Sequence, residues 1–228
     1  MGAPPPPRPG DAVLFDLDGT LIDSEPVAFR AVLECCGEWG VPVAQADAAQ
    51  VAGKKWEVAV ELLFTRYKIP VGKEEFTRTV VDRYKKKLVK EMKIIPGAPE
   101  MVRRMAKQGP IALVSGSHRE EIFWALDRLK VRDLFRFVLG AEDYPLSKPA
   151  PDGFMKAIAA LGVPPGETLI FEDSEAGVAS GLAAGAKVVA VTHANHFGHD
   201  LSRAHAQIPD FHGADEAWLA ALAKKLIR

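Results

Sequence analysis

Four short segments of this 228-residue chain carry the side chains best suited to chemistry: Asp16-Leu-Asp18-Gly19-Thr20, Ser115-Gly116-Ser117, Lys148-Pro149 and Glu172-Asp173-Ser174. If they meet in space, Asp16, Asp18, Glu172 and Asp173 repel and raise one another's pKa. A hard divalent cation resolves that conflict, and Mg²⁺ prefers a few carboxylate oxygens plus water and a phosphate oxygen. No His or Cys lies in these segments, which argues against zinc. Mg²⁺ is therefore the expected cofactor, with Asp16, Asp18, Glu172 and Asp173 as its expected ligands.

An ionised aspartate attacks without the help of a base, and carboxylate nucleophiles can form an aspartyl-phosphate. Asp16 suits that role. Asp18 is placed to protonate a leaving oxygen and later to activate water, and Gly19 lets the chain turn sharply after it. Lys148 would join the cation in neutralising a transferring phosphoryl group, while Ser115 and nearby backbone N–H groups hold its oxygens. Gly19, Thr20, Gly116 and Ser117 are accordingly expected at the substrate.

Such a constellation needs a scaffold that brings distant segments to one edge. The apolar run from Asp11 to Asp16 and similar runs at Ile111–Val114, Phe135–Leu139, Thr168–Phe171 and Lys187–Val191 read as buried strands. Helical periodicity separates the last four, at His118–Lys130, Asp152–Leu161 and Ser174–Ala184. Strand and helix in alternation imply an α/β fold with a parallel sheet and helices on both faces. Ligands bind such sheets at the carboxyl ends of the strands, where the four segments fall. The stretch 24–95 breaks the alternation with helices at Glu25–Trp39, Lys54–Tyr67 and Lys73–Met92 and no convincing strand. It reads as an all-helical insertion, and Pro96-Gly97 as the return to the main domain.

Composition excludes several other classes. Lys plus Arg number 29 and Asp plus Glu 30, for a net charge of −1, so no basic excess recommends a nucleic acid or an anionic membrane as partner. No apolar run is long enough to span a bilayer, and Met1–Arg8 lacks the apolar core of a signal peptide. Residues 1–10 read as a flexible proline-rich tail. Cys35 and Cys36, adjacent inside a helical pattern, read as small core hydrophobes. A reducing, cytoplasmic compartment and a monomer are expected. His193, His196 and His199 invite a metal reading, but a polar loop at the sheet edge accounts for them. Tyr84-Lys-Lys-Lys87 reads as a solvated helix face.

Taken singly, Asp-Leu-Asp-Gly-Thr is also a strand ending in a polar turn, and Glu-Asp-Ser is also a helix start. Four motifs in order are more specific. The chain resembles the haloacid dehalogenase superfamily of phosphotransferases through Asp16-Leu-Asp-Gly-Thr20, Leu113-Val-Ser115, Ser147-Lys-Pro-Ala-Pro-Asp152 and Phe171-Glu-Asp-Ser-Glu-Ala-Gly177. The likeness extends over residues 11–191 and is nearest to the β-phosphoglucomutase and phosphatase-like subgroup. It implies a Rossmann-like core of residues 11–23 and 96–228 with an α-helical cap at 24–95. It also implies that Asp16 is the nucleophile, Asp18 the acid/base, Asp173 a Mg²⁺ ligand with Glu172 beside it, and Ser115 and Lys148 phosphate-binding groups. Lys54 and Lys55 fall where the family's cap loop reaches over the active site and are expected at the substrate; Trp56 is expected to close the cap core.

Asp18 argues against dehalogenation and phosphonate cleavage, since members with those activities lack the second aspartate. β-Phosphoglucomutases carry a His where this chain has Ala28, and an Arg where it reads Ala52-Gly-Lys-Lys-Trp56. Those departures favour a Mg²⁺-dependent phosphatase of a small organic, sugar-like phosphate over a sugar phosphomutase. A phosphate-binding regulatory module without catalysis is the remaining alternative, and the filled catalytic positions speak against it.

Overall fold

The computed structural model describes residues 12–49, 56–196, 198–214, 217–218 and 221. The proline-rich tail, Lys54 and Lys55 lie outside the described residues.

Six parallel strands form the main sheet, in the order β5-β4-β1-β6-β7-β8. They are β1 (Ala12–Phe15), β4 (Ile111–Val114), β5 (Phe137–Leu139), β6 (Thr168–Glu172), β7 (Lys187–Val191) and β8 (Ala206–Ile208). Side chains alternate between the faces, as the two-residue period of a strand demands. Val13, Phe15, Ile111, Leu113, Leu169, Phe171, Val189 and Val191 enter one apolar cluster, which helices α5 (Ala98–Gln108) and α6 (Arg119–Leu129) cover. Leu14, Ala112, Val114, Ile170, Val188 and Ala190 enter the other, covered by α7 (Asp152–Leu161) and α8 (Glu175–Ala183). Each fully buried large side chain contributes roughly 1.5–3 kcal/mol, and having both faces apolar is what makes these strands read as continuous hydrophobic runs.

From β1 the chain adds β4 and β5 on one side, then returns to add β6, β7 and β8 on the other. The order therefore reverses beside β1, where ligands bind in open α/β sheets. The cap enters at β2 (Ile22–Asp23), runs through α1 (Glu25–Glu38), α2 (Gln45–Ala49), α3 (Trp56–Arg66) and α4 (Lys73–Glu91), and leaves at β3 (Lys93–Ile94). Phe76, Val80, Tyr84 and Leu88, four residues apart on α4, make one buried stripe. They share an apolar cluster with Val27, Ala31, Val32, Cys35 and Cys36 of α1 and with Val60 and Leu63 of α3. Both cysteines are buried free thiols, and burial pushes Cys36 up to about 11, so neither behaves as a reactive thiolate.

The expectation of no strand within 24–95 is corrected by β3, which pairs antiparallel with β2 through Ile22–Ile94 and Asp23–Lys93. Two-residue strands are too short to leave a periodic signature; their pairing is imposed where the two ends of the insertion meet. β5 begins at Phe137 rather than Phe135, because a 3₁₀ turn at Arg132–Leu134 delivers the chain to it. The basic run of α4 divides: Tyr84 is buried, whereas Lys85 and Lys87 face outward into ion pairs with Glu120, Glu121, Glu34 and Glu91. No helix among the described residues is long and apolar enough to cross a membrane.

Candidate active site

Phe15 of β1 and Phe171 of β6 are register partners, and their rings stack at 5.2 Å on one face of the sheet. The next residue of each strand must turn to the opposite face, which sets Asp16 and Glu172 side by side. Lys148 reaches them from the loop before α7, donating to Asp16 Oδ1 at 2.5 Å and to Glu172 Oε1. Its ammonium also lies 5.1 Å from the centroid of the Phe154 ring.

Glu172 organises the next turn through its other oxygen. Oε2 accepts from the backbone N–H groups of Asp173 at 2.8 Å and Ser174 at 2.9 Å, and from Ser174 Oγ at 3.1 Å. Ser174 in turn caps α8 by accepting from the Gly177 N–H at 3.0 Å. Thr20 Oγ1 donates to Asp173 Oδ1 at 3.0 Å. The close quarters explain two glycines. A Cβ on Gly19, whose φ is +87°, would come 1.9 Å from Asp173 Oδ2, and one on Gly177 would come 1.8 Å from Glu172 Oε1.

Asp16, Glu172 and Asp173 each present an oxygen such that all three lie within 4.8 Å of one another, and all are buried. Burial pushes Asp16 up to about 8; Lys148 opposes the shift, while Glu172 and Asp18 add to it. Asp173 rises well above the usual carboxylate range through burial, then through Glu172, Glu25 and Asp16. Burial alone would lower Lys148, but Asp16 and Glu172 outweigh it and hold the ammonium above its ordinary value. One lysine thus faces more negative charge than it can neutralise. An all-oxygen, buried, charge-deficient set of this kind fits a hard divalent cation, so the donor chemistry agrees with the expectation from sequence.

Asp18 stands outside this cluster. Its Oδ1 accepts from Ser24 Oγ at 2.6 Å, and its Oδ2 from Ser117 Oγ at 2.7 Å and Ser115 Oγ at 3.2 Å. Ser115 Oγ also accepts from the Ser117 N–H at 3.0 Å, with Gly116 between the two serines. Of the residues expected at the site, the structure brings together Asp16, Gly19, Thr20, Lys148, Glu172 and Asp173, and beside them Asp18, Ser115, Gly116 and Ser117. It does not place the Asp18 carboxylate with the other expected metal ligands.

Three features escaped the sequence reading. Glu25, at the start of α1, is 4% exposed, and its Oε1 has no hydrogen-bond partner. Burial, followed by Asp18, Asp16 and Asp23, pushes it up to about 8. Its place directly after Asp23-Ser24 was the available signal, but an acidic residue in a first helical turn is ordinary. Asp23 meets His196 Nε2 at 2.9 Å, so one loop histidine ties the β7 side of the sheet to the hinge strand β2. Glu121, at the start of α6, is also buried.

A profile of haloacid dehalogenase-like hydrolases matches residues 13–191, and the chain belongs to that family. A bifunctional riboflavin kinase/FMN phosphatase of Arabidopsis thaliana is 31% identical over 181 residues, 78% of this chain and 48% of that protein, so the chain spans about half its length. Hexitol phosphatase B of Escherichia coli strain K12 is 31% identical over 189 residues, 81% of this chain and 85% of that one. Among solved structures, the β-phosphoglucomutase of Clostridium difficile superposes with a TM-score of 0.81 at 20% identity, covering 95% of this chain and 98% of its own. That neighbour bears on the fold alone, an α/β core with a helical cap.

Proposed function

We propose that this protein is a Mg²⁺-dependent phosphatase that hydrolyses the phosphate monoester of a small sugar or polyol through an aspartyl-phosphate on Asp16. The observation that carries this reading is the separation of two carboxylate sets. Asp16 lies with Glu172, Asp173 and Lys148, whereas Asp18 is held apart by serine hydroxyls. One aspartate is thus charge-paired for attack and the other is set up for proton transfer.

Asp16, Asp173 and Glu172 would hold the Mg²⁺, which when bound neutralises the non-bridging phosphoryl oxygens. An Asp16 carboxylate oxygen forms the bond to phosphorus as the ester P–O bond breaks, and Asp18 delivers the proton that the departing alkoxide takes up. Asp18 then removes a proton from water, whose oxygen attacks phosphorus and releases Asp16 with inorganic phosphate. Lys148 fixes the Asp16 carboxylate and offsets charge on the phosphoryl group. Ser115, Ser117 and Ser24 hold Asp18 in one orientation through both proton transfers. In this reading residues 24–95 act as the lid that excludes bulk water and selects the leaving group.

The hexitol phosphatase relative supports a sugar or polyol ester as the substrate class. A mutase needs a cap group to manage a second phosphate and the re-entering hydroxyl; Ala28, partly buried against the cap cluster, supplies none. Asp16→Asn is expected to abolish Mg²⁺-dependent phosphate release from a panel of small phosphate esters while leaving the circular dichroism spectrum unchanged. Turnover retained in that variant would overturn the mechanism.

A further inference from the structure

Three histidines follow β7, His193, His196 and His199, and none takes part in the proposed mechanism. The loop that carries them is tied down at several points. The Thr192 N–H and Oγ1 both donate to the Ile208 carbonyl of β8, at 2.8 and 3.3 Å, and the Asn195 N–H returns to the Thr192 carbonyl at 3.1 Å. The Asn195 side chain closes on His199 twice, accepting from its N–H at 2.7 Å and donating to its carbonyl at 3.0 Å. Ala194 is buried in the apolar cluster on the α5 and α6 face of the sheet. His196 is therefore presented from a fixed platform on the core.

What it reaches is the hinge. His196 Nε2 lies 2.9 Å from Asp23 Oδ1, and a carboxylate oxygen accepts, so the ring donates. The Asp23 side chain is 9% exposed, which leaves little room for water to take over that bond. Asp23 is the register partner of Lys93, so the contact falls where β2 and β3, the entry to the cap and the exit from it, run side by side. A ladder of two residues is marginal by itself. A side-chain tie from outside then weighs heavily in where the two strands sit.

Ser24, the next residue, turns that position into chemistry. It stands at the N-cap of α1, yet its side chain makes no capping bond; the hydroxyl donates to Asp18 Oδ1 at 2.6 Å instead. The direction of that bond depends on the backbone at Ser24, which Asp23 holds from one side and α1 from the other. A shift of the hinge is thus passed to the Asp18 carboxylate, and proton transfer needs that group aligned with the oxygen it serves.

We propose that His196 is a positioning residue for the reaction: by holding Asp23 it fixes Ser24, and through Ser24 it aims Asp18 at the leaving oxygen. The inference rests on the phosphatase reading and adds to it a residue from outside the four motif segments. His196 bears on the proton transfer and not on the bond from Asp16 to phosphorus.

The leaving group supplies the test. An alkoxide needs the proton from Asp18, whereas 4-nitrophenolate departs without one. kcat/KM covers only the steps through release of the first product, so hydrolysis of the aspartyl-phosphate does not enter it. With Mg²⁺, His196→Ala is expected to lower kcat/KM for a hexitol monophosphate by roughly tenfold and for 4-nitrophenyl phosphate by less than about twofold. His196→Gln, whose amide nitrogen donates from nearly the same place, is expected to bring the hexitol value back to within about threefold of wild type. Hydrogen exchange in EDTA reads the hinge without catalysis: amides of residues 22–25 should exchange at least about fivefold faster in His196→Ala than in wild type or His196→Gln. A loss equal for both esters, a loss that glutamine does not recover, or an unchanged exchange rate overturns the proposal. Absence of phosphate release from either ester by wild type refutes the phosphatase reading itself and the catalytic role of His196 with it; the tie to the hinge is then upheld or overturned by exchange alone.

Discussion

Replacing Lys148 by methionine tests the electrostatic logic of the site most directly. The side chain is 8% exposed, and its ammonium bridges Asp16 and Glu172, themselves 7% and 1% exposed. Methionine keeps the length and the apolar contact with Phe154 but leaves two buried carboxylates without a cation. Removing one partner of a buried ion pair costs about 3–5 kcal/mol, and the two bonds to Lys148 are not additive because they share one charge. The carboxylates can escape part of that cost by binding protons. Lys148 lowers Asp16, which nevertheless stands at about 8, so its loss drives Asp16 higher still. A carboxylate whose pKa is raised on folding supports the folded state at low pH and loses that support as pH climbs toward the folded value. The cost of Lys148→Met is therefore expected to be smallest near pH 5 and to approach about 3–5 kcal/mol by pH 8.5 in EDTA. Mg²⁺ should recover part of it by supplying the missing positive charge. Urea denaturation at both pH values, with EDTA and with Mg²⁺, reads all four conditions. Phosphate release at saturating Mg²⁺ is expected to fall by about 10²–10³-fold, the usual consequence of removing a preorganised charge-stabilising donor. A pH-independent loss below about 1 kcal/mol would refute the reasoning, since no buried carboxylate would then depend on the lysine.

Other consequences follow from the same geometry. Gly177→Ala places a methyl group 1.8 Å from Glu172 Oε1 and must displace that carboxylate; a loss of at least about 1–3 kcal/mol in urea denaturation is expected, together with weakened Mg²⁺ binding by calorimetry. Wild-type stability in EDTA should decline between about pH 4 and pH 8, because Asp16 and Glu25 keep protons to about 8 when folded and release them near the ordinary carboxylate value when unfolded. Saturating Mg²⁺ should flatten that slope; a slope unchanged by Mg²⁺ would mean that the ion binds elsewhere.

What could be read from the sequence was whatever one strand or one helix encodes by itself. The five strands expected from apolar runs are present because their side chains enter the apolar clusters on the two faces of the sheet, the edge strand β5 only in part, and Ser174 announces α8 because its cap is local. Asp16 and Glu172 were legible together because the strand ends that carry them are themselves legible and parallel sheets gather those ends, whereas Lys148, in the loop before α7, was legible only through its Lys-Pro-Ala-Pro-Asp context. β2, β3 and β8 left no trace, since two or three residues have no measurable period and their pairing depends on distant partners. The same limit explains Asp18. Its side-chain type suggested a metal ligand, but its hydrogen-bond partners are three serines from two places: Ser24 from the cap hinge, and Ser115 and Ser117 from the loop after β4. Glu25 and Glu121 were hidden for a related reason. Acidic residues in a first helical turn are expected on helix-dipole grounds, and only the packing of cap against core shows that these two are buried.

The apolar layer beneath the site explains why so unfavourable a group of charges persists. Asp16 follows Phe15 and Glu172 follows Phe171, and those rings stack on each other while Phe135 and Phe211 meet them edge-on or tilted at 5.3 to 6.5 Å. If the carboxylates could relax they would separate, because mutual repulsion and burial both raise their energy. Separation would require β1 to part from β6, breaking the bond from the Asp16 N–H to the Phe171 carbonyl at 3.0 Å and opening the aromatic layer. Aromatic pairs of this kind add roughly 0.5–1.5 kcal/mol each beyond the area they bury, and that contribution, with the strand pairing, opposes the separation. The strain is then relieved from the solvent side, by proton uptake in the bare protein or by a bound cation. Destabilising the aromatic layer, as Phe171→Leu would, should therefore loosen the carboxylates and weaken cation affinity even though the substituted residue touches no ion.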